Sequence, residues 1–451
     1  MRISVIGLGK LGAPLAALLA CKGFEVTGVD IDQRIVAAVN DGRAPVEEPR
    51  LQEMMDGAEG RLSATTDTLR AVSESEVTFI LVPTPGLAGD GFSLDRVLEV
   101  AEAIGDALTR KDDYHLVVLS STVMPGATEN MLLPKLEARS GKVCGRDFGL
   151  CYNPEFVALG RVINGLLQPD FVLIGESDER SGATLADVYR RMCPNGPPVA
   201  RMSFVNAELA KLSVNTFITM RISYANMLAQ ICEKLPGADV DVVTAAVGLD
   251  HRIGNKYLRG AVGYGGPCFP HDNAAFRHLA RSVGVDPSVP EAANTMNRLH
   301  LEHLGGLTRA HLPVGGTVGV LGLSYKADTP VVEGSPGIEL IQRLTGQGVA
   351  VIAYDPQGVP NARAVLRESV AYAADAAECA SRADVLVIVM PWEEFRALTP
   401  AQLKPGAFPT VIDCWRVLPR EDFEKASNYV TLGTGPDTDA VEPKRRASGN
   451  L

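Results

Sequence analysis

Residues 2–12 read Arg2-Ile3-Ser4-Val5-Ile6-Gly7-Leu8-Gly9-Lys10-Leu11-Gly12, and the fold of the N-terminal half turns on them. The first five predict a short buried strand. The spacing Gly7-x-Gly9-x-x-Gly12 opens an Ala/Leu-rich stretch, about Ala13 to Lys22, that predicts a helix stopped by Gly23. Phe24 to Val29 predicts a second strand, ended by Asp30. Strand, glycine turn, helix, strand and acid in this register form a dinucleotide-binding fingerprint. Gly7 permits the tight turn, Gly9 the approach of a pyrophosphate, and Gly12 close helix–strand packing. The whole turn, with Leu8, Lys10 and Leu11, is therefore assigned to the cofactor. Asp30 is suited to accept from both ribose hydroxyls and to repel a 2′-phosphate, which selects NAD over NADP. Arg34 either lies over the adenine or faces water.

Further strands are predicted at 77–82, 115–119 and 148–152, each running into a polar turn. Ligands of such sheets bind beyond the carboxyl ends of the strands, so Thr84, Ser121 and Thr122 are expected to face the cofactor. Each also reads as an ordinary turn residue. Asn153-Pro154-Glu155-Phe156 puts a carboxylate at the same edge, where Glu155 is either a general base or a solvated cap.

In the middle of the chain, about Asn206 to Lys234 predicts a long helix, apolar over more than one stripe and suited to bridging two domains or two subunits. Lys211 and Asn215 lie four apart on one face. They would hold an oxyanion or a water if turned toward a site; otherwise they are a solvated face. Arg252, Lys256 and Arg259 form a basic cluster just before Gly263-Tyr264-Gly265-Gly266-Pro267-Cys268-Phe269-Pro270-His271-Asp272. Here the glycines admit close approach to a ligand, Pro270 and Asp272 mark a helix start, and a thiol ahead of that start favours its thiolate. Cys268 is placed like a nucleophile, though a buried cysteine in a glycine loop reads equally well. His300 and His303 are expected on an exposed helix, with no metal site.

From Thr317 the pattern of strand, Gly322, helix and strand ending in Asp355 echoes the first half, with further strands at 384–390 and 410–413, the latter taken as the last. The expected architecture is α/β: two doubly wound Rossmann-like domains joined by a long central helix and a helical dimerisation region. Expected boundaries are 1–204 for the NAD-binding domain, 205–312 for the central domain with the cysteine loop, and 313–432 for the C-terminal domain. Residues 433–451, polar and rich in Pro and Gly, are expected to be a disordered tail. A net charge of −11 argues against nonspecific binding to nucleic acid or an anionic membrane. The eight cysteines show no C-x-x-C pair, which fits a reducing cytoplasm. No signal peptide is evident, and no apolar run reaches the roughly 20 residues of a membrane helix.

Taken in order, the motifs resemble the UDP-glucose/GDP-mannose dehydrogenase family from residue 1 to about 420. They are Gly7–Gly12 with Asp30, Val82-Pro-Thr-Pro85, Ser121-Thr-Val123, Asn153-Pro-Glu-Phe156, Lys211-x3-Asn215, Arg252-Ile-Gly with Tyr257-Leu-Arg259, Gly265-Gly-Pro-Cys268-Phe-Pro-His-Asp272 and Tyr325-Lys326. The resemblance implies a four-electron oxidation of a nucleotide-hexose C6 alcohol to a carboxylate with two NAD, through a thiohemiacetal and a thioester on Cys268. UDP-glucose is favoured; GDP-mannose and UDP-N-acetylhexosamines are the alternatives. It implies that Lys211 and Asn215 stabilise oxyanions and that Asp272 orients water or Lys211, while Glu155 and Thr122 serve proton transfer. His271 joins the cofactor contacts. Glu155, Phe156, Lys211, Asn215, Arg252, Tyr257, Arg259, Gly265, Tyr325, Lys326 and Arg416 are implied to meet the substrate, Arg252 from across the dimer contact of a homodimer or higher homo-oligomer. A role in polysaccharide biosynthesis also follows from the resemblance.

Four positions depart from the family pattern: His271 for a lysine or arginine, Leu159 for a glutamate, Glu333 for the arginine of R-x-S-P, and Trp415 for an arginine. Two remoter readings compete with this one: a two-electron hydroxyacid dehydrogenase, which needs no Cys268, and a non-catalytic nucleotide-sugar sensor.

Overall fold

Eight strands build the first sheet: β1 Arg2–Ile6, β2 Glu25–Val29, β3 Leu62–Thr65, β4 Val77–Ile80, β5 His115–Leu119, β6 Phe148–Tyr152, β7 Val172–Glu176 and β8 Val199–Met202. They belong to a computed structural model that describes residues 1–87 and 91–436. Its chain divides into two compact units, 1–214 with 274–283, and 215–273 with the chain from Gly284 onward.

In the first unit the strand order is β3-β2-β1-β4-β5-β6-β7-β8. Strands β1 to β6 are mutually parallel, whereas β7 runs antiparallel to β6 and carries β8 parallel beside it. The order reverses between β1 and β4, the point where a doubly wound sheet opens a crevice for a ligand. Alternate residues face opposite sides of a strand. Ile3, Val5, Phe79 and Val118 enter one apolar cluster, and Ile6, Ile80, Val117 and Leu119 the other. Both faces of the sheet are thus buried, as the near-continuous apolar runs of these strands require.

The second unit repeats the plan. Strands β9 Thr317–Leu321, β10 Ala350–Tyr354, β11 Ala371–Tyr372, β12 Val385–Ile388, β13 Thr410–Asp413 and β14 Asn428–Thr431 pair in the order β11-β10-β9-β12-β13-β14. All of these pairings are parallel. The two Rossmann-like domains of the sequence reading are therefore present. The helix Phe204–Cys232 carries the chain from the first unit into the second. Most of the central helical stretch is compact with the C-terminal sheet.

Several details differ from the sequence reading. Strands β3, β7, β8, β11 and β14 were not expected; β3, β8, β11 and β14 are two to four residues long, too short to show a period. Asp413 does not end the last strand, because β14 pairs beyond it. His300 is buried rather than exposed: it hydrogen-bonds the Ala261 carbonyl at 2.6 Å and Gln230 at 3.0 Å. Burial lowers its pKa. Residues 433–436, expected in the tail, are bonded into the second unit: Gly433 N–H donates to Glu233 and the Pro436 carbonyl accepts from Gly237. Residues 437–451 lie outside the described residues.

Candidate functional site

Gly7 follows β1 with φ +94°, a conformation open to glycine. A Cβ on Gly12 would stand 1.7 Å from the Gly7 carbonyl oxygen, whereas one on Gly9 would meet nothing within 4 Å. The turn is thus closed on its helix side and open at Gly9, as a pyrophosphate cradle must be. Asp30, at the end of β2, accepts from Leu8 N–H at 2.8 Å and from Asp32 N–H at 2.9 Å, one bond per carboxylate oxygen. A carboxylate offers about four acceptor positions, so capacity for ribose hydroxyls remains. These residues fit NAD. Arg34 is exposed and forks onto Asp32, which it holds at a pKa of about 2.

The ends of β4 and β5 are stitched by hydroxyls. Thr84 donates to the Thr122 carbonyl at 2.7 Å and Ser121 to the Val82 carbonyl at 2.6 Å. Both hydroxyl protons hold backbone, which is the turn role the sequence left open for them. Beyond Thr122 the loop is anchored by Glu208, a buried carboxylate that accepts from Gly126 N–H at 2.5 Å and Thr128 N–H at 2.8 Å. Desolvation raises the pKa of Glu208.

Asn153 locks the turn after β6 by donating to the Leu173 carbonyl and accepting from Tyr189. Glu155 curls back so that one carboxylate oxygen accepts Val157 N–H at 2.7 Å. Its carbonyl accepts the Lys211 ammonium at 2.6 Å, and that ammonium lies 4.8 Å from the centre of the Phe156 ring. Glu155, Phe156 and Lys211 are thereby brought together in the first unit. A second anchor is Glu48, which accepts from Gly160 N–H and Val162 N–H at 2.8 and 2.7 Å. Leu159, one of the departures, packs against the apolar cluster there.

Neither Glu48 nor Glu208 is among the residues the sequence motifs single out. Glu208 carried a signal, a lone charge inside the apolar run Ala207-Glu208-Leu209-Ala210 of a helix. Glu48 carried none, because its partners are backbone amides 112 and 114 residues away.

In the second unit the cysteine loop runs into the helix Phe269–Ser282, and the Cys268 carbonyl accepts Asp272 N–H at 2.8 Å. Cys268 therefore stands at the helix start, with Pro270 and Asp272 in the first turn. Of the eight cysteines it alone is exposed. Burial raises the thiols of Cys193 and Cys379 to about 11 and 12. The buried Asp272 carboxylate accepts the Asn215 amide at 2.5 Å. A Cβ on Gly265 would fall 2.0 Å from the Gly334 carbonyl oxygen, and one on Gly266 2.3 Å from the Tyr325 ring. The loop is pressed against β9's following segment, which brings Tyr325 to the cysteine loop. Lys326 is the next residue. His271 is exposed, as is Glu333 beside Gly334.

The basic residues take different partners. Arg252 is exposed and paired with Asp250 at 2.6 Å. Tyr257 is exposed, with φ +58°. Arg259 is exposed and donates to the Trp415 carbonyl at 2.6 Å. Arg416 is occupied elsewhere, forking onto Asp239 at 2.7 and 3.0 Å and reaching Asp241 at 3.0 Å.

Residues 1–193 match the NAD binding domain of the UDP-glucose/GDP-mannose dehydrogenase family. With the open glycine turn, that defines an NAD-dependent oxidoreductase. Residues 205–299 match the same family's central domain and 319–420 its UDP binding domain. The chain belongs to the UDP-glucose/GDP-mannose dehydrogenase family. It is 38% identical over 402 residues to the UDP-glucose 6-dehydrogenase AglM of Haloferax volcanii, covering 88% of this chain and 93% of that one. It is 34% identical over 359 residues to the GDP-mannose 6-dehydrogenase of Pseudomonas aeruginosa, 79% of this chain and 81% of that one. A UDP-glucose dehydrogenase structure from Pyrobaculum islandicum superposes with a TM-score of 0.87 at 33% identity, over 96% of this chain and 98% of the other. Among the described residues no helix is long and apolar enough to cross a membrane.

Proposed function

We propose that this chain oxidises the C6 hydroxyl of a nucleotide-hexose, UDP-glucose in the favoured case, to a carboxylate through covalent intermediates on Cys268. The exposure of Cys268 at a helix start, while no other cysteine is exposed, carries this reading. The likeness to a UDP-glucose 6-dehydrogenase at 38% identity favours UDP-glucose, and the GDP-mannose relative at 34% keeps GDP-mannose as the alternative. UDP-N-acetylhexosamines remain further alternatives from the sequence reading.

Gly7–Gly12 and Asp30 would hold NAD on the first unit, where it would supply the hydride acceptor for both oxidations, of the C6 alcohol to the aldehyde and of the thiohemiacetal to the thioester. Cys268 sulfur bonds to the C6 aldehyde carbon, making a thiohemiacetal whose C–H is again a hydride donor. Loss of that hydride leaves a thioester. Water adds to its carbonyl carbon, the C–S bond breaks, and the acid departs with the thiol restored. Asn215, fixed by Asp272, donates toward the oxyanions, as does the Lys211 ammonium. Glu155 and Thr122 serve the proton transfers, the latter through water. Substrate contacts fall to Phe156, Arg252, Tyr257, Arg259, Gly265, Tyr325 and Lys326.

A homodimer is part of the proposal. Phe217, Tyr224 and Ile231 recur every seven residues on the helix Phe204–Cys232 and are exposed, with Val242, Leu249 and Ile253 exposed nearby in sequence. An apolar stripe of this kind fits a second copy of the chain. A cytoplasmic site and a role in polysaccharide precursor supply complete the reading.

The test is NADH yield per sugar, screened over UDP-glucose, GDP-mannose, UDP-N-acetylglucosamine and UDP-N-acetylmannosamine. Two NADH per sugar is expected with one of them. A yield of one would favour a two-electron dehydrogenase, and none a sensor. Cys268→Ser is expected to lose acid formation by about a thousandfold or more, since the nucleophile itself is removed. Unchanged acid formation would sink the covalent mechanism.

A further inference from the structure

The second sheet presents two arginines near the carboxyl end of β13, and they are treated differently. Arg416 is drawn onto Asp239 and Asp241, and its second nitrogen reaches the Leu432 carbonyl at 3.0 Å and the Thr434 hydroxyl at 3.2 Å. Its charge is answered within the protein. Among the described residues Arg259 instead gives one bond, from Nη2 to the Trp415 carbonyl at 2.6 Å, with its guanidinium carbon 5.6 Å from the centre of the Trp415 ring. A guanidinium has five N–H donors in a fixed fork.

Trp415 is itself held. Its indole N–H donates to the Val389 carbonyl at 2.7 Å, its backbone N–H to Asp413 at 3.1 Å, and its ring packs against both apolar clusters of the second sheet. Val389 and Trp415 follow the carboxyl ends of β12 and β13. That edge is where a doubly wound sheet takes its ligand, and Arg259 lies nine residues before Cys268.

We infer that Trp415 is a positioning residue: it orients the Arg259 guanidinium toward the diphosphate of a nucleoside diphosphate sugar. The inference rests on the proposed nucleotide-sugar reading and deepens it. The β13 turn thus offers a held indole and carbonyl that aim an arginine from another segment. A planar fork held in this way suits the bidentate geometry of phosphate oxygens. Arg416 then acts within the fold, tying the β13 turn to the Asp239 segment.

The test is UDP and GDP binding to the full chain by calorimetry, with steady-state kinetics on the nucleotide-sugar that turns over. Trp415→Ala, which keeps the carbonyl and removes the indole, is expected to weaken nucleoside diphosphate binding about five- to twentyfold. KM for the nucleotide-sugar should rise in parallel, with kcat within about twofold. Arg259→Ala should weaken binding at least as much, and the double variant should bind no more weakly than Arg259→Ala alone, because Trp415 acts through Arg259. Trp415→Phe, which preserves a ring in the packed position but loses the bond to the Val389 carbonyl, should recover part of the binding loss and melt above Trp415→Ala.

Additive losses in the double variant would overturn the inference, as would wild-type affinity in Arg259→Ala or a fall in kcat without a change in KM. Wild-type protein that bound neither UDP nor GDP would overturn the nucleotide-sugar reading as well. Wild-type binding left untouched by all three substitutions would overturn the positioning role alone.

Discussion

Asp30 and Asp355 each end the second strand of their sheet, and each carboxylate reaches back to the turn after the first strand. Asp30 accepts Leu8 N–H; Asp355 accepts Leu323 N–H at 2.7 Å and Ser324 N–H at 2.9 Å. The glycines correspond too. A Cβ on Gly337 would fall 2.1 Å from the Gly322 carbonyl oxygen, as one on Gly12 would fall 1.7 Å from that of Gly7. What separates the two turns is the number of donors around the acid. Asp355 also takes Gln357 N–H, Gly358 N–H, the Ser324 hydroxyl and the Trp392 indole, and is 2% exposed. Asp30 is half-buried with two donors among the described residues. The same topological position thus becomes an open acceptor in one sheet and a saturated structural node in the other.

The strongest challenge to this parallel is at the paired glycines. Gly12→Ala and Gly337→Ala should each destabilise their unit by about 4 kcal/mol or more, because the added carbon meets backbone that cannot swing aside. Thermal unfolding and soluble yield would reveal it, and tolerance of either alanine would break the correspondence.

Substitution of the acids should separate the two turns. Asp355→Ala strands several buried donors and should lower stability by about 3–5 kcal/mol in urea unfolding. Asp30→Ala should lower it by no more than about 1 kcal/mol, yet raise KM for NAD about ten- to a hundredfold through lost charge-assisted hydrogen bonds. Equal stability losses would remove the distinction.

A smaller effect marks the first sheet. His115 is buried beneath Thr78, with the Ser75 carbonyl and Lys111 nearby, and burial pushes its pKa down to about 3. The unfolded chain takes up a proton there near pH 6.5 and the folded chain does not. Stability should therefore decline as pH falls from about 6.5 toward 3, by about 1.4 kcal/mol per unit from this group. His115→Gln should flatten the dependence, read from urea midpoints at several pH values; an unaltered slope would refute the assignment.

Much of the fold is legible along the chain because its signals are local. A glycine turn between a strand and a helix, or an apolar run long enough to fill a buried strand, needs no distant partner to be recognised. Hence β1, β2, β4, β5 and β6 were expected within a few residues, as were the long helix and the cysteine at a helix start. The short edge strands β3, β8, β11 and β14 lack such a run, and their pairing comes from a neighbour.

Residue identities settled which groups are chemically able to act: a thiol, a lysine and an asparagine one helical turn apart, and acids at strand ends. Packing settled which of them are still available. Asp30 and Asp355 look alike in one dimension, as do Arg259 and Arg416, because a hydrogen-bond donor arriving from a residue far along the chain leaves no local mark. Saturation of a charge is a property of the space around it. That space exists once the strands have paired and the loops at their carboxyl ends have been pressed together.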